Sequence, residues 1–168
     1  MIKKILLPIL ILLSAQFSFA QNYTDTLYVT GKVKNEKAIP LSNFTKYKSV
    51  ELGDINTSCS PKQKEEAKQV KAVLVKDLLD SVEFAYESRK ELNQFYFKFE
   101  AADGYTIVYS FNEIYNTETG NHLYVVTEMN DKPISELENR ILLLTTSDIK
   151  SGSRNIKWLK RIVVCRAE

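Results

Sequence analysis

Residues 152–164 read GSRNIKWLKRIVV, a turn followed by a segment that is both basic and apolar. Four cations fall within eight positions of it: Arg154, Lys157, Lys160 and Arg161. A period of two residues predicts a strand over 156–164 with charge and apolar bulk on both faces. Two interpretations fit. One is a solvated strand whose Lys and Arg stems lie over apolar neighbours; the other is a phosphate site in which Gly152 supplies backbone donors and Arg154 and Lys157 supply charge.

The sequence before this segment predicts more strands than helices. Phe95, Phe97 and Phe99 alternate with other residues, and a turn at 103–104 leads to a second strand at 105–110, which indicates a hairpin. Further strands are predicted at 26–33, 48–52, 122–127 and 140–145, and helical runs at 62–70 and 73–82. Because strands and helices do not alternate regularly, we expect an α+β fold, mostly β with mixed sheets and a few short helices.

The first 20 residues have the pattern of a secretory signal peptide. Lys3 and Lys4 precede an apolar run of about nine residues, roughly half of what a membrane-spanning helix needs, and Ser18-Phe19-Ala20 supplies the small residues of a cleavage site. We therefore expect a single domain over 21–168 that is periplasmic or secreted. An uncleaved anchor is the rival interpretation of the same residues. The remaining sequence contains no second apolar run long enough to span a membrane.

The charge of the chain gives no general reason to expect nucleic acid or an anionic membrane as its partner. Two of its 23 basic residues lie in the predicted signal peptide, which leaves 21 basic and 21 acidic residues in the rest. His122 is the one histidine, so mechanisms and metal sites that need two are excluded. The five glycines are scattered singly, which argues against a glycine-rich phosphate loop.

The segment at 152–159 resembles the turn Gly-Ala-Arg-Ser-Val-Lys-Trp-Leu of the sulfite oxidase family of molybdopterin-binding domains. Other segments resemble the same family in the same order. Residues 30–33 are similar to its opening Gly-x-Val strand, 72–79 to its Gly-Val-Pro-Leu-x-Asp-Leu-Leu element, and 128–134 to its Glu-Met-Asn-Gly-x-Pro-Leu segment. The resemblance covers about residues 27–164 and implies the sulfite oxidase-type molybdopterin-binding fold.

The resemblance also implies a cofactor site. In the family the Arg, Ser and Lys of the late turn hold the pterin and its phosphate, which corresponds here to Arg154, Asn155 and Lys157. Arg grips a phosphate with paired donors and Lys supplies a point charge, whereas Asn155 offers an amide in place of the family's hydroxyl. No protein residue is expected to act as a catalytic nucleophile.

The family binds molybdenum through one cysteine thiolate, and Cys59 lies at the matching distance before Ala72. The Gly and aromatic residues that usually follow that cysteine are replaced by SPKQKEE at 60–66, and the family's Pro-Gly turn reads Thr145-Thr146-Ser147. Cys59 is therefore a candidate metal ligand, and an ordinary thiol or a disulfide partner of Cys165 are the other interpretations.

Two functions follow from these observations. The first is a pterin-binding domain that, if active, is a molybdopterin-dependent oxidoreductase, although the catalytic machinery is incomplete. The second is a non-catalytic binding or interaction module of the cell envelope that keeps only the fold and binds no cofactor. The signal peptide lacks the paired arginines of the route that exports folded proteins, which favours the cofactor-free alternative.

The signal-peptide prediction is tested by the N-terminus of the exported protein. We expect cleavage between Ala20 and Gln21, because the small residues that signal peptidase requires stand just before this bond. Intact mass and N-terminal sequencing of protein from the periplasm or medium measure the cleavage position. An N-terminus at Met1 in membrane-bound protein would instead support the uncleaved anchor.

Overall fold

The computed structural model describes residues 24–56, 66–149 and 151–168. Ten strands are present in this part of the chain: β1 (Thr26–Gly31), β2 (Lys37–Pro40), β3 (Val50–Asn56), β4 (Glu66–Leu74), β5 (Phe95–Ala101), β6 (Thr106–Ser110), β7 (Leu123–Met129), β8 (Lys132–Pro133), β9 (Leu143–Thr145) and β10 (Leu159–Arg166). Three short α-helices accompany them: α1 (Val75–Leu79), α2 (Phe111–Tyr115) and α3 (Glu118–Asn121). Short 3-10 helices lie at Leu41–Lys46, Arg89–Gln94, Ile134–Glu136 and Ser151–Arg154. The predicted class, mostly β with few short helices, is confirmed.

The strands form two five-stranded sheets. Sheet 1 has the order β2-β1-β10-β5-β6, and sheet 2 has the order β3-β4-β7-β8, with β9 also paired to β7. Strand β1 runs parallel to β10 and the other pairs are antiparallel, so sheet 1 is mixed as expected. The parallel pair joins residues near the two ends of the described chain at the middle of one sheet.

The main core lies between the two sheets. Side chains of Phe95, Phe97 and Phe99 point into it from β5, and the residues between them are half-buried, which confirms the predicted alternation. The predicted hairpin is also present, with β5 and β6 paired from Tyr96 opposite Ser110 to Glu100 opposite Thr106. Val73, Leu123, Val125 and Leu143 complete the same core from sheet 2.

Sheet 2 is covered on both faces. A second, smaller cluster lies on its far side: Ala67, Val70, Val126, Leu137, Leu142 and Leu144. Strand β7 accordingly has four consecutive buried residues, LYVV at 123–126. A continuous apolar run of this kind is what a strand buried on both faces requires.

The helix predicted at 62–70 is wrong in type and the last predicted strand starts too early, while the other predicted strands differ from the observed ones by one to four residues at an end. The helix predicted over 62–70 is a strand from Glu66 onwards, because these residues pair with β3 and the side chains of Ala67 and Val70 enter the second cluster; residues 62–65 lie outside the described part. The strand predicted from Ile156 begins at Leu159, and a bulge follows at Leu159–Arg161. The bulge shifts the alternation, so that Leu159 and Ile162 are both buried.

In the part of the chain that the structure describes, no helix is long and apolar enough to cross a membrane. The prediction of a single domain over 21–168 remains a prediction.

Gly31 permits the close parallel approach of β1 to β10. Its φ is +93°, and a Cβ at this position would lie 2.2 Å from the carbonyl oxygen of Val164. The next residue uses that same oxygen, because the Lys32 amide donates to it at 2.8 Å. A side chain at residue 31 would therefore push apart the two central strands of sheet 1.

We expect Gly31→Ala to lower the free energy of unfolding by roughly 2–4 kcal/mol, because it adds a backbone clash to an unfavourable φ. Gly104 is a matched control, since its φ is +91° and nothing lies within 4 Å of a Cβ there. Gly104→Ala should lower the free energy of unfolding by about 1–2 kcal/mol, since it has only the unfavourable φ and no clash. Urea unfolding of both variants measures the difference, and equal losses would contradict the close-approach argument.

Candidate functional site

The turn that carries the predicted site residues is hydrogen-bonded to sheet 2 just after the 3-10 helix Ser151–Arg154. Ile156 is buried, and it exchanges two backbone hydrogen bonds with Leu143, at 2.8 and 3.0 Å. Trp158 adopts a left-handed φ of +56°, and its ring nitrogen donates to the carbonyl oxygen of Glu138 at 3.1 Å. These contacts hold the end of the 152–158 segment against the first residue of β9 and against the loop that precedes β9.

Arg154 is at the centre of a polar cluster, bound by two carboxylates. Its Nε donates to Oδ2 of Asp148 at 2.6 Å and its Nη2 to Oδ1 at 2.5 Å, a bidentate pair. Its Nη1 donates to Oε1 of Glu113 at 3.2 Å. The guanidinium carbon also lies 4.3 Å from the centre of the Tyr109 ring, within the range of a cation–π contact.

The electrostatics of the cluster favour a charged Arg154. The hydrogen bonds to Asp148 raise the pKa of Arg154 above its ordinary value, so the guanidinium stays charged at any physiological pH. Burial raises the pKa of Tyr109, which keeps this phenol neutral. One cation faces two carboxylates, so the formal charge of the cluster is −1.

Glu113 holds two parts of the structure with its two oxygens. Oε1 receives the hydrogen bond from Arg154, while Oε2 accepts from the Ser110 amide at 2.8 Å and from its hydroxyl at 3.0 Å. The Ser110 hydroxyl oxygen in turn accepts from the Glu113 amide at 3.1 Å, which completes a capping box at the start of α2. The late turn is thus tied to the junction of β6 and α2.

The structure brings together two of the four predicted site residues. Asn155 lies beside Arg154, and its Oδ1 accepts a hydrogen bond from the amide of buried Thr145 at 3.2 Å. Lys157 is exposed, and it takes no part in the ion pairs of Arg154. Cys59 lies in residues 57–65, outside the described part of the chain, and Cys165 is a free thiol on β10.

Sequence reasoning missed the residues that surround Arg154. Glu113 had a visible signal, since Ser110-x-x-Glu113 is the pattern of a capping box. Asp148 lies only six residues before Arg154, but nothing in the spacing indicates a bidentate pair. Within the described residues, no group of three or more His, Cys, Asp or Glu side chains is arranged to hold a metal ion.

We expect Asp148→Asn to lower the free energy of unfolding by roughly 1–3 kcal/mol. The side chain of Asp148 is 14% exposed and that of Arg154 28%, so the loss should be smaller than for a fully buried pair. Glu83→Gln is the control, because Glu83 pairs with Lys34 at 2.8 Å on the open surface, where removing a charge has little effect. Urea unfolding compares the variants, and similar losses for both would contradict a stabilising role of the Asp148 pair.

Comparison with known proteins shows a solved structure of similar fold. No family model and no curated protein matches the chain. The structure is similar to the crystal structure of the sulfane dehydrogenase SoxCD from Paracoccus pantotrophus, with a TM-score of 0.57 and 10% sequence identity. The match covers 86% of this chain and 39% of that chain, so this chain spans about two fifths of the length of the dehydrogenase chain. At this identity the likeness shows the fold alone, and it is a fold found in an oxidoreductase.

Proposed function

We propose that this chain is an exported, non-catalytic binding or interaction domain of the cell envelope, built on the sulfite oxidase-type molybdopterin-binding fold. The resemblance of its sequence to that family and the similarity of its structure to a dehydrogenase both support the fold. A fold does not establish an activity, so the proposal depends on the site.

The observation that carries the proposal is the pairing of Arg154 with Asp148 and Glu113. A guanidinium that binds a phosphate offers it paired N–H donors and a positive charge. Here the Nε and Nη2 donors that form such a pair are already bound to Asp148. The second carboxylate makes the surroundings of the guanidinium negative, which disfavours an approaching phosphate.

Molybdopterin therefore does not fit the described residues as they are arranged. A phosphate that used the Nε–Nη2 pair would have to displace Asp148 and leave that carboxylate, which is mostly buried, without its cation. The amide oxygen of Asn155 accepts from the Thr145 backbone N–H, so Asn155 could offer a phosphate only the neutral donors of its Nδ2. Lys157 is left as the one cation of the predicted trio whose charge faces solvent, and a single exposed lysine is a weak anchor for a phosphate.

A second candidate is a domain that still binds the pterin. The observation in its favour is that the three hydrogen bonds of Arg154 use only three of its five N–H donors. In this candidate Arg154, Asn155 and Lys157 hold the cofactor and Cys59 is the metal ligand, as the family resemblance implies. The loaded protein would be an oxidoreductase.

Cofactor content distinguishes the two candidates. We expect protein exported from a host that makes the molybdenum cofactor to contain neither molybdenum by mass spectrometry nor released pterin by fluorescence, because Arg154 is neutralised within the chain. A known molybdopterin enzyme prepared in parallel is the positive control. Equimolar metal and pterin would overturn the proposal.

Two variants show whether any retained cofactor occupies the predicted site. Lys157→Ala should remove pterin from a real site without loss of folding, and Cys59→Ser should remove the metal. Lys160→Ala is the matched control, since Lys160 is also exposed, lies three residues further on and is not in the predicted trio. Retention that all three variants leave unchanged would place the cofactor elsewhere.

A further inference from the structure

The edges of the two sheets differ in how they are protected against pairing with another strand. Strand β2 carries Lys37 and ends at Pro40, and β3 is interrupted by register shifts on both sides of Gly53. Strand β8 has two residues and includes Pro133, and β9 is covered by its bridge to Ile156. Charge, proline, bulges and short length are the usual devices that prevent edge pairing.

Strand β6 has none of these devices. Its sequence, TIVYS, has no charge and no proline, and its register with β5 is regular over all five residues. It is the last strand of sheet 1, and Val108 in its middle is 50% exposed. Among the sheet edges that the structure describes, β6 is therefore the one that is open to a further strand.

The hydrogen bonds of the hairpin show which backbone groups face outwards. The Ala101 amide donates to the Tyr105 carbonyl at 2.9 Å, so residue 105 directs its carbonyl towards β5. Alternate residues of an antiparallel strand direct their N–H and C=O groups to opposite sides. Thr106, Val108 and Ser110 accordingly direct theirs to the open edge.

Glu113 occupies the backbone donor at one end of this edge. Its carboxylate already accepts the hydrogen bond of the Ser110 amide, at 2.8 Å. This bond also confirms the direction of the alternation, since the Ser110 amide points away from β5. The backbone N–H and C=O groups of Thr106 and Val108 remain at the open edge.

We propose that two copies of the chain associate through β6, antiparallel and with Thr106 of each copy opposite Val108 of the other. This register satisfies both open donors and both open acceptors of each strand, with four hydrogen bonds between the copies. The two-fold axis then passes between the two Ile107 residues, and the two copies of sheet 1 join into one sheet of ten strands.

Glu113 excludes the neighbouring symmetric register. Pairing Val108 with Val108 would place the carbonyl of Thr106 from one copy opposite the Ser110 amide of the other. That amide is already bound to the Glu113 carboxylate, so two hydrogen bonds would be lost and a carboxylate would meet a carbonyl. The cap at the start of α2 thereby determines how the strands align.

A second copy suits this edge because the strand is uncharged and meets its own sequence without repulsion. The charges on neighbouring β5 are already paired within the chain, with Lys98 3.1 Å and Arg161 2.7 Å from oxygens of Glu100.

A five-residue strand buries less surface than a standard interface. We therefore expect a dissociation constant of roughly micromolar to millimolar, and the dimer forms with or without a cofactor.

Sedimentation velocity of the chain recovered from expressing cells, from about 10 μM to about 1 mM, measures this association. We expect a reversible monomer–dimer equilibrium. Val108→Lys should raise the dissociation constant at least tenfold, about 1.4 kcal/mol, because it adds charge at the pairing edge. Thr106→Lys is a second variant with the same expectation, and circular dichroism establishes that each variant is folded.

The matched control is Tyr28→Lys. Tyr28 is 44% exposed, but it lies on β1, which has neighbours on both sides and no open edge. This variant should dimerise like the parent, and amide exchange at Thr106 and Val108 should slow as the parent concentration rises. The proposal is overturned by a monomer over the whole range, by a dimer that both β6 variants retain, or by an equal loss in Tyr28→Lys.

Discussion

The hydrogen bonds of the Glu113 carboxylate determine how the turn at Arg154 is arranged against the junction of β6 and α2. One oxygen caps α2 and occupies the Ser110 amide, and the other binds Arg154 in a turn that follows 41 residues later. Because Arg154 is also bound to Asp148, three residues after β9, this chain of bonds links the edge strand of sheet 1 to the segment that follows β9 of sheet 2. The same carboxylate lowers the charge at the predicted cofactor site and shortens the open part of β6. One side chain thus influences both the chemistry of the turn and the surface offered to a partner.

Local patterns were sufficient for much of the fold. The alternation at 95–99 and the Asp103-Gly104 turn predicted a hairpin that the structure contains, because both signals act within a few residues. The helix predicted at 62–70 is wrong from Glu66 onwards, since pairing with β3 overrides the local preference. The parallel pairing of β1 with β10 depends on residues about 133 positions apart, and no local pattern indicates it.

The candidate site was less predictable for the same physical reason. The family resemblance identified Arg154 and Asn155 as neighbours in one turn, and the structure places them in that turn. The charge that Arg154 presents depends on Glu113 and Asp148, which approach it only through tertiary packing. A basic residue in a sequence motif shows that a cation is present, whereas the availability of that cation depends on its partners in three dimensions. Cys59 lies outside the described residues, so the metal role stays a prediction.

The two sheets differ in the surface that they leave for a partner. Sheet 2 has an apolar cluster on each face, so its described strands are largely covered from both sides. Sheet 1 buries one face, and its outer face presents Tyr28, Arg161 and Val108 to solvent. Since the guanidinium of Arg154 is neutralised and β6 keeps unpaired backbone groups, the attraction available to a partner in this region is hydrogen bonding along a strand edge rather than charge. A partner recognised in this way requires only a regular exposed strand, which β6 provides.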